Sequence, residues 1–168
     1  MTAYNFAQIL PYSSYQPTWA SGQLYCIDFE YDVSDGSALA AADTITTPSG
    51  ALPDEGIRIV DVEISHPELD SNATPTGTYD IGDSGAAARF LDGAVMGVAG
   101  VTTAGYLVFN RINVEQALTA GVVSAGSGYL YAQGTDPQLI LTVASAVATG
   151  VASGIIRMRV WFYCTGEE

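Results

Sequence analysis

Most of the residues here that could do chemistry are carboxylates. Residues 77–93 read GTYDIGDSGAAARFLDG and hold Asp80, Asp83 and Asp92 beside a single arginine, Arg89. Aspartate oxygens grouped in this way can ligate Ca²⁺, but the spacing does not follow the EF-hand pattern. Aspartate and glycine are also what tight turns require, for side-chain to backbone hydrogen bonds and for positive φ. The reading is therefore a strand that turns at Gly82, Asp83, Ser84 and Gly85, with Arg89 neutralising a nearby aspartate. A glycosidase needs two carboxylates across a cleft, and Asp28, Glu30, Asp61 and Glu63 could supply a pair. They sit at every second position of alternating segments, which is the pattern of a solvated sheet face.

Other chemistries find less support. His66 is the only histidine, and it stands before Pro67 as a strand-end residue with no nucleophile motif around it. The chain has no lysine, which excludes a P-loop and a Schiff-base enzyme. GAVMGVAG is glycine-rich but lacks the phosphate-cradling patterns. Cys26 and Cys164 lie near opposite ends of the chain, too few and too far apart for a zinc site or a disulfide framework. Both are expected as free thiols, Cys26 facing outward and Cys164 inward. No catalytic, metal or cofactor site is predicted.

With 18 acidic residues against five arginines, the formal net charge is −13. Such a surface repels phosphate backbones and anionic lipid, so neither nucleic acid nor membrane is an expected partner. No apolar run approaches the ~18–20 residues of a membrane span. The start MTAYNFAQILPYSSYQ lacks the basic opening of a secretory signal, and a non-exported protein is expected. A hydrophobic content of 48% over 168 residues suits one packed domain.

The elements that would position these groups are strands. Tyr25, Ile27, Phe29, Tyr31 and Val33 alternate with Cys26, Asp28, Glu30 and Asp32, a period of two. Val60, Val62 and Ile64 alternate with Asp61, Glu63 and Ser65. Further strands are expected at 44–47, 76–82, 106–114, 128–133, 138–146 and 155–164, with a loose Gly/Ala-rich stretch over 83–105 and one helical turn at VEQALTA. About eight strands, separated by loops full of Gly, Pro, Ser and Thr, predict an all-β antiparallel sandwich of jelly-roll type.

Residues 1–23 carry no charge and form a separate compositional unit, an extended aromatic arm before a sandwich domain at 24–168. Tyr4, Phe6, Ile9, Leu10, Tyr12, Tyr15 and Trp19 either pack on their own domain or dock on a neighbouring subunit, aromatic residues being enriched in interface cores. On the second reading, deleting residues 1–20 leaves a folded domain. Asp28, Glu30 and Asp32 on the first strand and Arg157 and Arg159 on the last would attract one another if the terminal strands lie side by side.

The run VDVEI…LDSNATPTGTYDIGD…RFL over residues 60–91, with GIIRMRV over 154–160, resembles small β-sandwich virion proteins encoded beside the major capsid protein in tailed bacteriophages. The similar region spans residues 24–164 and leaves the arm outside it. The resemblance implies a non-enzymatic capsid decoration, or cement, protein. Such proteins sit on the shell exterior, often as homotrimers, and clamp neighbouring copies of the major capsid protein. Synthesis would be in the host cytoplasm. Tail, neck and head-fibre components are the alternative roles it implies. A different class, a carbohydrate-binding module for host adsorption, would use exposed aromatics such as Trp161 and Tyr163.

Overall fold

The computed structural model describes residues 1–9, 22–33, 39–98, 107–113, 129–150 and 153–165. They form eleven strands and no helix: β1 (Ala3–Asn5), β2 (Ala7–Ile9), β3 (Leu24–Asp32), β4 (Thr44–Thr46), β5 (Ile57–Pro67), β6 (Thr78–Asp83), β7 (Ala86–Val95), β8 (Leu107–Asn113), β9 (Tyr129–Tyr131), β10 (Ile140–Ser145) and β11 (Ile155–Cys164). Two sheets result, ordered β1-β4-β10-β6-β7 and β2-β3-β11-β5-β8, with β9 paired to β5 beyond β8. Without β1, β2 and β9, the remaining eight strands make the two four-stranded sheets of a jelly roll. Every pairing is antiparallel except β1 with β4.

Alternation explains the core. Phe29, Ile64, Met158, Val160 and Phe162 point inward from one sheet and meet Ile45, Tyr79, Ile81, Leu141 and Val143 from the other, all at most 1% exposed. Each such side chain contributes roughly 1.5–3 kcal/mol relative to an exposed position.

Three expectations need correction. Val60 is half-buried and faces outward, whereas Ile57 and Ile59 are wholly buried. The register on β11 steps from Trp161 opposite Asp61 to Phe162 opposite Ile59. Val60 is thus the extra residue of a β-bulge, which reverses the parity of β5 at that point. The second correction is β7, ten residues of strand where a loose stretch was expected. It is an edge strand whose pairing with β6 shifts register twice, and its alanines are weak strand formers.

The third concerns the arm. Residues 3–5 extend one sheet beside β4, and residues 7–9 extend the other beside β3. Phe6, at the crossover between sheets, is 2% exposed, and its N–H donates to the Thr46 carbonyl at 2.9 Å. The Thr2 N–H donates to the Asp43 carboxylate at 2.6 Å. The opening residues are therefore built into the sandwich, and a cut at residue 20 would remove two strands and a core phenylalanine. Leu10, Tyr12, Tyr15 and Trp19 lie outside the described residues, as does VEQALTA.

Candidate functional site

The outer face of the β2-β3-β11-β5-β8 sheet gathers the chain's surface chemistry. β3 and β11 are direct neighbours, with Glu30 opposite Arg157 and Asp28 opposite Arg159. Arg157 Nε donates to Glu30 at 2.5 Å, and Arg159 grips Asp28 with two bonds, Nε at 2.5 Å and Nη2 at 2.9 Å. Asp32 lies opposite Ile155 at the end of the ladder. Arg159 continues across β5 to Glu63, and Glu63 is opposite the ladder position of Arg111 on β8. Ladder positions of acidic and basic residues therefore alternate across four strands in one row. Asp28 and Glu30 are thus each held by an arginine.

Trp161 and Tyr163 continue this face, half-buried, opposite Cys26 and Leu24. The Arg159 guanidinium lies 5.7 Å from the Trp161 ring centroid and covers part of the face that a sugar would stack on. Cys26 is exposed, Cys164 is buried, and both are free thiols. Burial and the neighbouring Asp28 push the Cys26 thiol up to about 11, so it is a poor nucleophile at neutral pH.

The aspartates of residues 77–93 have separate structural tasks. Asp80 accepts the Gly93 N–H at 2.8 Å, and Asp92 is exposed. Asp83, 9% exposed, ends β6 and accepts from Gly85 and Ala86 N–H at 2.8 and 2.9 Å, closing the turn into β7. It also accepts Arg89 Nε at 2.6 Å and the Tyr131 hydroxyl at 2.7 Å. Arg89 lies over the Tyr129 ring, 4.2 Å from its centroid. Burial alone would raise the Asp83 pKa, but Arg89, Tyr131 and the two backbone donors together lower it. This group links a hairpin of one sheet to β9 of the other, with both carboxylate oxygens occupied.

Sequence reasoning passed over the most heavily bonded carboxylate. Asp70 is fully buried and accepts backbone N–H groups of Thr76, Gly77, Ala148 and Thr149 at 2.9–3.0 Å, with Asn72 at 3.3 Å. Burial opposes its ionisation, yet these donors hold its pKa well below the carboxylate range. The available signal was the LDSNATPT stretch, whose turn-forming residues need an acceptor for their amides.

His66 does stand at a strand end, but it is 1% exposed and edge-on to Tyr79 with centroids 5.4 Å apart. Its Nδ1–H donates to the Pro67 carbonyl at 2.7 Å, so the neutral ring leaves Nε2 as a buried acceptor without a partner. Burial lowers its pKa. Among the described residues no three His, Cys, Asp or Glu side chains are placed to hold a metal ion.

No protein-family model and no curated protein matches the chain. Solved structures do. A chain in the capsid asymmetric unit of cyanophage Pam1 superposes with a TM-score of 0.61 at 21% identity, covering 91% of this chain and 93% of that one. A chain in the capsid of Ralstonia phage GP4 gives 0.54 at 18% identity, over 92% and 90%. This fold thus occurs in chains of two phage capsids.

Proposed function

We propose that the protein is a non-enzymatic structural component of a tailed-phage virion, bound to the outside of the capsid, where it holds neighbouring copies of the major capsid protein together. The observation that carries this reading is the end-to-end correspondence with chains of two phage capsids, over nine-tenths of each chain. Asp70 and Asp83 fit the reading, since they tie loops and strands together.

Cementing needs no bond chemistry. A protein that binds only the assembled shell stabilises it by linkage, and a homotrimer multiplies each weak contact through avidity. Tyr4 and Phe6 are committed to their own sandwich, but Ile9 is 39% exposed at the end of β2. We assign capsid contact to the apolar sequence running on from it, Leu10, Tyr12, Tyr15 and Trp19.

The test is co-sedimentation of the purified protein with capsids lacking it, followed by thermal disruption of those capsids. Saturable binding that raises the disruption temperature is expected. A second protein, with residues 10–21 replaced by a Gly/Ser linker, should keep the fold and lose most of that binding. Capsids that neither bind the protein nor gain stability from it would refute the reading.

A further inference from the structure

The five arginines are not spread over the molecule. Arg58, Arg111, Arg157 and Arg159 all occupy ladder positions in the β2-β3-β11-β5-β8 sheet, opposite Tyr163, Glu63, Glu30 and Asp28. Five carboxylates share these ladder rows: Asp28, Glu30, Asp32, Asp61 and Glu63. The other thirteen of the chain's 18 acidic residues are offset by Arg89 alone. One sheet is thus nearly neutral, while almost all of the net charge of −13 belongs to the rest of the protein.

Exposed apolar side chains have the same distribution. Of the six large hydrophobic residues exposed among the described residues, Ile9, Leu24, Leu130 and Ile155 project from this sheet, at 39–49% exposure. Leu24 is opposite the half-buried Tyr163 and Leu130 is opposite Arg58, the next position across, while Ile9 and Ile155 lie further along the same face, opposite Asp28 and Asp32. Aromatic residues and arginine are the types enriched in interfaces.

We propose that this sheet face is where a second copy of the chain docks. The choice of occupant follows from charge. A basic partner would be drawn to the acidic remainder of the protein, not to its one balanced face. A second copy carries −13 as well, and at any other surface it would meet like charge inside the ~8 Å Debye length of physiological salt. Only where carboxylates and arginines nearly cancel can two such chains approach closely, with signs offset against one another. The size also fits. The sheet's strands β2, β3, β11, β5 and β8, with 3, 9, 10, 11 and 7 residues at ~3.4 Å each and ~4.8 Å apart, present roughly 650 Å², near the ~800 Å² per partner of a standard interface.

The inference rests on the homo-oligomeric part of the proposed function, and its test separates the two. Molar mass in solution is measured for the wild type, Leu24→Glu, Leu130→Glu and Val95→Glu. Val95 is 49% exposed, as is Leu24, but lies on β7 of the other sheet. The wild type is expected at a multiple of 17.5 kDa. Each of the two variants on the face should raise the concentration for half-assembly by about tenfold or more, and Val95→Glu should leave it unchanged. Assembly should tighten as salt screens the residual repulsion, the reverse of docking to a basic partner. Cys26 should react more slowly with iodoacetamide in the oligomer than in the dissociated variants.

A monomeric wild type overturns the inference, as does an oligomer that only Val95→Glu disrupts or that neither face variant weakens. Cys26 equally shielded in oligomer and dissociated variants also overturns it, since the chain would then cover its own face. Capsid co-sedimentation is read separately. Binding by a protein that does not self-associate sinks this inference alone, and self-association without capsid binding sinks the cement reading alone.

Discussion

The Tyr131 hydroxyl donates to the Asp83 carboxylate at 2.7 Å, joining β9 of one sheet to the end of β6 in the other. Both residues are under 10% exposed, so the bond is protected from water and made to a charged acceptor. Tyr131→Phe keeps the ring against Tyr129 and removes only the donor. The expected loss is about 2 kcal/mol, within the range for hydrogen bonds to charged groups, and equilibrium urea unfolding would measure it. A loss below ~0.5 kcal/mol would mean that Arg89 and the turn amides hold Asp83 without the link between sheets.

Asp70 governs a larger unit. Its carboxylate gathers amides from residues 72–77 and from 148–149, so one side chain closes two loops at the same end of the sandwich. Asp70→Ala leaves several N–H groups without an acceptor, each costing ~1–3 kcal/mol if it stays buried. The expected destabilisation is at least ~3 kcal/mol, and Asp70→Asn should recover part of it because one amide oxygen still accepts. Thermal melting of the two variants tests that order, and an Asn variant no better than Ala would contradict it.

These two carboxylates show where sequence reading reached and where it stopped. The alternation in 24–33 and 155–164 sorts each residue to a face, and with the terminal strands adjacent it puts Asp28 and Glu30 on the same face as the two arginines. Asp83 at a turn followed from its Asp-Ser-Gly context. The share taken by Tyr131 did not, because that partner is 48 residues away and only the packing of the sheets brings it near. Asp70 is harder still, since its donors are backbone amides, which every residue but proline has. Val60 failed for a local reason: a bulge shifts parity without changing composition. Phe6 could not be separated from its aromatic neighbours by type, and only its position at the crossover between sheets makes it core.

His66 gives the protein a pH dependence above the carboxylate range. Its folded pKa is lowered by burial, so a proton binds the unfolded chain more readily. The stability held by the neutral ring is complete above the unfolded value of ~6.5 and declines as pH falls below it, with a slope approaching ~1.4 kcal/mol per pH unit. Asp43, Asp70, Asp83 and Asp136 also have lowered pKa values, but their loss begins only below the unfolded carboxylate value of ~3.9. His66→Phe keeps an aromatic ring beside Tyr79 and removes the titration. The difference in unfolding free energy between the two proteins should therefore change from pH 8 to pH 5. A difference that stays constant over that range would show that His66 does not titrate on unfolding.

Gly154 sets how β11 enters its sheet. Its φ is 144°, a region that side chains rarely adopt, and its carbonyl accepts the Val33 N–H at 2.8 Å at the end of β3. A Cβ at this position would run into the Pro67 ring at the end of β5. Gly154→Ala therefore meets two separate penalties, backbone strain and a steric clash, and should cost roughly 2–4 kcal/mol. The two can be separated. Pro67→Ala removes the ring, so Gly154→Ala introduced into that background should cost less than it does in the wild type, with backbone strain as the remainder. Unfolding free energies of the four proteins give the coupling directly. A coupling near zero would mean that the clash is relieved at no cost and that φ alone demands glycine. No loss in the single variant would mean that the strand can enter at another angle, and then neither Pro67 nor Gly154 fixes the register in which Arg157 and Arg159 meet Glu30 and Asp28.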